Sequence, residues 1–216
     1  MPRKLDDLAA HYDASMRRDW GRDYGPFRES VIAQFGDFRR KTILDYGCGT
    51  GLLLEYIKEN YAYDGLYLAC DADANMLELA RAKNIPHPDL AFTLIPEVPE
   101  LPFESGAADI AVSSLVTHQL PPEGKRAMFA EILRVLRPGG VYVAAEFGKS
   151  AGFMGFVTEV YVRHLWGRFI TPAVYANSAE NFAGAVPGLV AAAGFAPVAV
   201  TARWKGNIDV IRAVKP

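Results

Sequence analysis

The chain has 216 residues, of which 50% are hydrophobic and 22% are charged, and its formal net charge is −2. This length suits one domain with a sizeable core, and the near-neutral charge gives no electrostatic indication of nucleic-acid binding. The two cysteines, Cys48 and Cys70, are too few for a disulfide framework. Since no signal-peptide pattern and no uninterrupted apolar stretch of bilayer length occur, we expect a cytoplasmic protein without a transmembrane segment.

The predicted elements alternate between helices and strands. Residues 1–40 are predicted to be helical, with a break at Gly25-Pro26. Short apolar runs bounded by turn residues predict strands at 42–45, 66–70, 90–95, 109–114, 141–145, 195–203 and 207–214. Further helices are predicted at 52–59, 73–83, 123–136, 150–170 and 178–193. Asp73 or Asn75 is expected to cap the second of these, and residues 137–140 are expected to form a turn.

This order of elements predicts the fold class. Strands separated by helices over the first 150 residues indicate right-handed βαβ units and a parallel sheet. The last two strands are joined by a short turn around Gly206, so one of them must run antiparallel. We therefore expect an α/β fold with a Rossmann-like, doubly wound, seven-stranded, mostly parallel sheet and one antiparallel strand near the C-terminus.

A glycine-rich loop, Asp45-Tyr46-Gly47-Cys48-Gly49-Thr50-Gly51, follows the first predicted strand. Ligands of open α/β sheets bind at the carboxyl ends of strands, and glycines there allow close approach of the backbone. A dinucleotide fingerprint would require a glycine where Leu52 stands, and a P-loop would require Gly-Lys-Ser/Thr. Asp45 would repel a pyrophosphate but suits the ammonium and sulfonium of S-adenosylmethionine. A tight turn without a ligand is the alternative.

A second acidic position, Asp71, ends the second predicted strand. A carboxylate at this point can accept hydrogen bonds from both hydroxyls of a ribose. The alternative role is a helix cap, for which Asp73 is the better placed residue. No histidine or further carboxylate is positioned to complete a metal site with these two, so no metal is expected.

Together these segments resemble the class I S-adenosylmethionine-dependent methyltransferases, and more narrowly the ubiquinone/menaquinone C-methyltransferase group. The resemblance covers roughly residues 9–215. The segments that carry it are Asp45–Gly51, Cys70–Leu77, Pro96–Phe103, Asp109–Ser114, Arg134–Gly140 and Glu146–Lys149. It implies one domain over 1–216, with a helical cap at 1–40, a cofactor-binding core at 41–149, a lid at 150–185 and a closing helix and hairpin at 186–216.

The resemblance also implies which residues contact the cofactor. They are Tyr12, Asp45, Gly47, Cys48, Gly49, Gly51, Asp71, Ala72, Met76, Glu97, Val98, Ser113, Ser114 and Leu115. The glycines would pack against the methionine part, which the backbone of 113–115 would also reach. Asp71 would hold the ribose, Ala72 and Met76 would flank the adenine, and Glu97 and Val98 would hydrogen-bond it. Tyr12 would fold over the cofactor or only pack a helix.

Two positions depart from the family pattern. Tyr46 stands where a small or aliphatic residue is usual, and Glu97 stands where the family has aspartate. The segment 175–178 is only loosely similar to the quinone group, which leaves a quinone acceptor open.

The expected reaction is in-line displacement of the sulfonium methyl by an acceptor atom, which needs a general base only when the acceptor carries a proton to lose. His118, just after the fourth strand, is the best candidate base, and its alternative role is to shape the pocket floor. Glu146 either binds substrate or holds the following loop. His164 lies among Tyr161, Trp166 and Phe169, which form either lid core or a cation cage.

An aromatic lid predicts a small apolar or aromatic acceptor. A quinone precursor or phospholipid, reached by peripheral contact with a membrane surface, is an alternative within the same chemistry. Alternatives from other classes are an S-adenosylmethionine-binding protein without turnover and an RNA methyltransferase. The sequence after the fourth strand, Ser113-Ser114-Leu115-Val116, lacks the Pro-Pro-aromatic signature of amino-methylating nucleic-acid enzymes, so no nucleic-acid partner is expected.

Overall fold

A computed structural model describes residues 3–96, 100–167 and 172–216. Its described strands form one seven-stranded sheet. The strands are β1 Ile43–Tyr46, β2 Tyr67–Asp71, β3 Leu90–Leu94, β4 Ala108–Ser114, β5 Leu136–Phe147, β6 Val198–Trp204 and β7 Ile208–Val214. The sheet order is β3-β2-β1-β4-β5-β7-β6, and β7 runs antiparallel to both of its neighbours. The expected doubly wound, mostly parallel fold is therefore confirmed.

The helices cover both faces of this sheet. They are α1 Arg3–Trp20, α2 Tyr24–Ile32, α3 Leu52–Asn60, α4 Ala74–Ala82, α5 Pro122–Val135, α6 Gly152–Glu159, α7 Pro172–Asn177, α8 Ala179–Phe182 and α9 Val186–Ala192. Successive residues of β1 alternate between two cores, with Ile43 on the side of α2 and α3 and Leu44 on the side of α5 and α9. A parallel sheet buried on both faces requires such apolar strands.

The strand order creates a crevice at the carboxyl ends of β1 and β4. The chain moves outward from β1 to β2 and β3, then returns to place β4 on the other side of β1. Tyr46 at the end of β1 lies in register with both Cys70 of β2 and Ser113 of β4. The loops that follow these strands therefore begin at one level, at the switch point where such sheets bind ligands.

Helix boundaries account for three wrong predictions. Gly25 and Pro26 lie inside α2, and the break falls at the short 3-10 turn Gly21–Asp23. Pro26 is tolerated because it occupies the first turn of α2, where backbone N–H groups have no intrahelical partner. The single helix predicted at 178–193 is divided into α8 and α9 at Gly184, which has a φ of +81°. The helix predicted at 150–170 becomes π-helical from Val160 to Gly167, and its last residues lie outside the described ranges.

The prediction of a turn at residues 137–140, between helix α5 and strand β5, is also wrong. These four residues, of which Arg137, Pro138 and Gly139 are exposed and Gly140 is buried, belong to β5, which continues directly from α5. Between the pairs Ala108–Leu136 and Ile110–Val141 the register shifts, so the glycine-rich segment forms a bulge in the strand. Gly139 donates its N–H to the backbone oxygen of Lys215, 2.9 Å away, which keeps the bulge attached to the sheet.

Candidate functional site

The glycine loop after β1 is held against the end of β2. Gly47 and Cys48 both donate their backbone N–H groups to the carbonyl oxygen of Cys70, at 2.8 and 3.0 Å. Gly47, Gly49 and Gly51 have φ values of +71°, +54° and +77°, which favour glycine. A Cβ atom at Gly47 would also collide with the methyl groups of Val116. Both backbone conformation and close packing therefore require glycine at Gly47.

Asp71 joins the glycine loop to the loop after β2. Its Oδ2 accepts the N–H of Gly49 at 2.7 Å, and its Oδ1 accepts the N–H of Asp73 at 2.9 Å. Burial raises the pKa of Asp71, although these backbone N–H groups act to lower it. Asp73, as expected, caps α4 by accepting the N–H groups of Asn75 and Met76. Asp71 is thus not the cap, and its half-buried carboxylate faces the glycine loop.

Asp45 is a buried carboxylate at the base of the same loop. It is 3% exposed, and its Oδ2 accepts the hydroxyl of Tyr67 at 2.8 Å. Burial raises the pKa of Asp45 to about 6, despite the hydrogen bond from Tyr67 and the positive charge of Arg28. In the part of the chain that the structure describes, no cation forms an ion pair with this buried carboxylate, which is typical of a site for a cationic ligand.

A cavity lies between this loop and the N-terminal helices. Six of the residues predicted at the cofactor line it: Tyr12, Asp45, Gly47, Cys48, Gly49 and Ser114. Helix α1 closes it, because Asp13 accepts a hydrogen bond from Thr50 of the loop and pairs with Lys83 at 2.6 Å. Lys83 also pairs with Glu55 of α3 at 3.3 Å. The N-terminal helix is thus fastened over the glycine loop by charged side chains.

The end of β4 forms the opposite wall. Ser113 directs its hydroxyl to that of Tyr142, 2.8 Å away, so its side chain points into the core and away from the cavity. Leu115 has a φ of +58°, a left-handed conformation that is uncommon outside glycine. Its N–H donates to the carbonyl oxygen of Ala145 at 2.8 Å, and its own carbonyl oxygen accepts from Nε2 of Gln119 at 3.5 Å, so the N–H of Leu115 is not available to a ligand.

His118 and Glu146 form a buried pair beyond β4 and β5. The Nδ1 atom of His118 lies 2.9 Å from Oε1 of Glu146, which is 1% exposed. Glu146 also accepts the backbone N–H groups of Thr117 at 2.6 Å and Phe147 at 2.8 Å. Burial acts to raise the pKa of Glu146, but the electrostatic interaction and hydrogen bond with His118 and the two backbone hydrogen bonds outweigh it and lower the pKa. Glu146 is therefore ionised and holds both the histidine and the following loop.

Aromatic rings and an amide surround this pair. The ring of Phe147 packs edge-on against His118, with centroids 4.9 Å apart, and stacks on Phe182 at 5.0 Å. Asn181 donates to the hydroxyl oxygen of Thr117 at 2.7 Å. Helix α8, which carries Phe182 and Asn181, is thereby packed against the segment that presents His118.

The other predicted cofactor residues are less centrally placed. Gly51 caps α3, and a Cβ atom at this position would lie 3.6 Å from the side chains of Ala80 and Ile85. Ala72 is exposed and Met76 half-buried beside Asp71. Glu97 and Val98 lie outside the described residues.

Residues that the sequence did not single out also line the cavity. They are Met16, Arg28, Thr50, Leu52 and Leu53. The sequence did contain a signal for Arg28. It stands three residues before Val31 and four before Ile32, and this spacing places it on the apolar face of the helix. Its burial, at 4% exposure, depends on the packing of α2 against the sheet.

The aromatic side chains of residues 150–185, the segment predicted to be a lid, divide into two groups. Phe182 is buried, whereas the aromatic side chains of α6 and of the π-helical segment after it are exposed: Phe153 at 79%, Phe156 at 62% and Tyr161 at 57%. Arg163 lies over the rings of Tyr175 and Phe182, at 5.3 and 5.7 Å from their centroids. The side chains of His164 and Trp166, and all of Phe169, lie outside the described residues.

Comparisons with known proteins were consistent with the motifs. The family described as "Methyltransferase domain" matches residues 43–140. A demethylmenaquinone methyltransferase of Renibacterium salmoninarum is 30% identical over 185 residues, which cover 82% of this chain and 69% of that protein. A tRNA (carboxymethyluridine(34)-5-O)-methyltransferase of Xenopus tropicalis is 28% identical over 144 residues, which cover 65% of this chain and 20% of that protein.

A solved structure has the same fold. Phosphoethanolamine N-methyltransferase 2 of Haemonchus contortus, in complex with phosphomonomethylethanolamine and S-adenosylhomocysteine, matches with a TM-score of 0.71 at 16% identity. The match covers 100% of this chain and 58% of that chain.

Fold and site together define a Rossmann-like protein whose glycine loop is flanked by two carboxylates. The chain belongs to the class I S-adenosylmethionine-dependent methyltransferase family, as its motifs predicted. It spans between 20% and 56% of the length of several curated relatives that it matches. In the part of the chain that the structure describes, no helix is long and apolar enough to cross a membrane.

Proposed function

We propose that this chain transfers a methyl group from S-adenosylmethionine to a small, apolar or aromatic molecule. The observation that carries the proposal is the 2.7 Å hydrogen bond from the N–H of Gly49 to Asp71, which keeps a second carboxylate beside the loop that Asp45 begins. Two carboxylates disfavour a phosphate-bearing ligand and favour one with a cationic end and a ribose. Membership of the family supports the same cofactor.

The residues present fit this cofactor. Each oxygen of Asp71 accepts one backbone N–H, and because a carboxylate has about four acceptor sites, capacity remains for ribose hydroxyls. Asp45 is positioned at the loop for the ammonium end, and the positive-φ glycines allow a ligand to approach the backbone. When bound, S-adenosylmethionine supplies a methyl group made electrophilic by its sulfonium.

His118 is the residue we assign to proton transfer. Its Nδ1–H donates to the ionised Glu146, so in the neutral ring the lone pair resides on Nε2. Nε2 would accept the proton of an acceptor hydroxyl, ammonium or acidic carbon while the electron pair of the acceptor atom bonds to the methyl carbon and displaces S-adenosylhomocysteine. Glu146 would stabilise the resulting imidazolium. An acceptor without such a proton would need only positioning and exclusion of water, with His118 shaping the pocket.

The surroundings of His118 favour an apolar or aromatic acceptor. Phe147 packs against its ring and stacks on Phe182, so the wall beside the candidate base is aromatic. We assign residues 150–185 as the lid that completes this wall, because this connection between β5 and α9 contains seven aromatic residues.

Isothermal titration calorimetry with S-adenosylmethionine, S-adenosylhomocysteine and NADH tests the cofactor. Asp71→Asn should weaken binding of both sulfur nucleosides by about 5- to 150-fold, since a charged hydrogen-bond acceptor is lost. Asp73→Ala is the matched control, because this neighbouring carboxylate caps α4 and should affect stability alone. Folded wild-type protein that binds neither sulfur nucleoside would contradict the proposal.

Transfer itself is tested with S-adenosylmethionine labelled in its methyl group. Apolar and aromatic hydroxyl, amine and quinol-type compounds should accept label, whereas transfer RNA should not. Label appearing only in RNA would contradict a small-molecule acceptor and favour the RNA alternative. Tight binding with no transfer to any acceptor would favour a binding protein without turnover.

A second candidate is a quinone or phospholipid acceptor taken from a membrane surface. The exposed apolar side chains of α6 favour it, because Phe153, Met154 and Phe156 are between 58% and 79% exposed. Sedimentation with phosphatidylglycerol vesicles should retain the wild type and release a Phe153→Ser/Phe156→Ser variant. Leu94→Ser, an exposed apolar position on the edge strand β3, is the control. Equal sedimentation of all three proteins would contradict this candidate.

A further inference from the structure

Arg28 is a buried cation that has no anionic partner among the described residues. It lies in α2 with 4% of its surface exposed, and its guanidinium is 5.3 and 5.6 Å from the ring centroids of Tyr24 and Phe27. Within the described residues it forms no hydrogen bond or ion pair, and its buried Nε has no acceptor. An unpaired buried charge is expensive, so a fold that retains one at a ligand cavity is expected to receive its partner from the ligand.

The guanidinium borders the cavity at the glycine loop. Arg28 lines it together with Asp45, Gly47, Gly49 and Ser114. The positive charge of Arg28 acts on Asp45, but the two side chains form no ion pair, and one oxygen of Asp45 already accepts the hydroxyl of Tyr67. The cavity therefore offers a free cation and a carboxylate side by side, which is complementary to the two charges of an α-amino acid.

We propose that Arg28 binds the α-carboxylate at the methionine end of the cofactor, while Asp45 faces its α-ammonium. This inference rests on the proposed function, because S-adenosylmethionine is the ligand that brings an amino-acid zwitterion to the loop. The motifs in the sequence assign no residue to the carboxylate. A guanidinium suits it, since two of its N–H groups can bind one carboxylate in a fork. The rings of Tyr24 and Phe27 keep that fork in place.

The test is a set of calorimetric titrations that change the protein and the ligand independently. The ligands are S-adenosylhomocysteine, S-adenosylmethionine, decarboxylated S-adenosylmethionine, and 5′-methylthioadenosine, which lacks the whole amino-acid end. The proteins are wild type, Arg28→Met, Arg28→Lys and the control Arg212→Met. Arg212 contacts the backbone oxygen of Gln34 just after α2 at 3.3 Å but does not line the cavity.

We expect Arg28→Met to bind S-adenosylhomocysteine about 10- to 100-fold more weakly while its affinity for 5′-methylthioadenosine is unchanged. Arg28→Lys should show a smaller loss, and Arg212→Met none. Wild-type protein should bind decarboxylated S-adenosylmethionine more weakly than S-adenosylmethionine, and this difference should disappear in Arg28→Met. The wild-type comparison needs no variant, so it tests the carboxylate contact even if Arg28→Met does not fold.

The failures are distinguishable. Equal weakening of S-adenosylhomocysteine and 5′-methylthioadenosine in Arg28→Met, or equal affinity of the wild type for the two forms of S-adenosylmethionine, would overturn the role of Arg28 and leave the proposed function intact. Folded wild-type protein that binds none of the four ligands would overturn both.

Discussion

The imidazole of His118 and the carboxylate of Glu146 are joined by a 2.9 Å contact between Nδ1 and Oε1, and both side chains are buried. Because an ionised carboxylate can accept hydrogen bonds but not donate them, the contact requires that Nδ1 of His118 carries a proton. This relationship connects β5, which carries Glu146, to the segment after β4, which carries His118.

Replacing Glu146 by Gln should alter the tautomer of His118 and reduce turnover. The carboxylate of Glu146 now faces three donors: the backbone N–H groups of Thr117 and Phe147, and Nδ1 of His118. The amide NH₂ of glutamine cannot accept from one of them, so we expect the variant to lose about 1–3 kcal/mol of stability. With an acceptor that loses a proton, kcat should fall about 100-fold. Long-range ¹H–¹⁵N spectra of His118 and the pH profile of kcat measure the two effects. A less stable variant with unchanged kcat and pH profile would assign the pair to structure alone.

Gly47 should tolerate alanine much less well than Gly49. Both have positive φ, so each Gly→Ala substitution should cost about 1–2 kcal/mol from backbone strain. Only Gly47 has a neighbour in the way, because its new Cβ would collide with Val116, whereas nothing lies within 4 Å of Gly49. Urea unfolding should show the larger loss for Gly47→Ala and partial recovery when Val116→Ala is added. Equal losses at both glycines would rule out the contact as the cause.

Asp45 should make the ligand-free protein less stable near neutral pH. Its pKa is raised from 3.8 to about 6 by burial, so the folded state holds the proton more tightly than the unfolded state. Its ionisation therefore destabilises the folded state. The free-energy cost is absent below about pH 4 and reaches its full value, on the order of 3 kcal/mol, above about pH 6. Asp45→Asn should be more stable than wild type at pH 7.5, and this advantage should shrink as pH falls toward 4.

Chemical unfolding of both proteins at several pH values measures this difference, and other titrating groups cancel in the comparison. The same variant should bind S-adenosylhomocysteine more weakly, as expected where function retains a destabilising residue. A stability difference that does not change with pH would show that Asp45 is not the group responsible.

Lys83 should control how firmly α1 covers the cavity. It pairs with Asp13 of α1 and Glu55 of α3 and is only 18% exposed. We expect Lys83→Met to lower stability by about 1 kcal/mol or less, to increase amide hydrogen exchange over residues 11–20, and to speed dissociation of S-adenosylhomocysteine several-fold. Arg40→Met, which removes an exposed 3.9 Å pair with Asp64, is the control. Unchanged exchange would indicate that the other contacts of α1, such as the stacking of Trp20 on Phe27 and the hydrogen bond from Thr50 to Asp13, hold the helix without Lys83.

Local sequence was informative where one short segment dictates its own conformation. Apolar runs became β1 to β5, and Asp73 caps α4 because its side chain reaches N–H groups two and three residues ahead. Helix ends were less predictable, as Pro26 in the first turn of α2 and Gly184 between α8 and α9 illustrate. Proline is excluded from helix interiors but is tolerated in the first turn. The sequence alone therefore does not decide whether Pro26 separates two helices or begins one.

The sequence by itself determined the fold class, the glycine loop with Asp45 and Asp71, and the family, since these depend on periodicity and on residues close together in the chain. Only the tertiary structure decided that Arg28 is buried beside Asp45, that Ser113 turns its hydroxyl to Tyr142 and away from the cavity, and that Glu146 holds His118. These relationships join residues between 17 and 29 positions apart along the chain. They arise only when the strand order brings β1, β4 and β5 side by side and closes α1 and α2 over their ends.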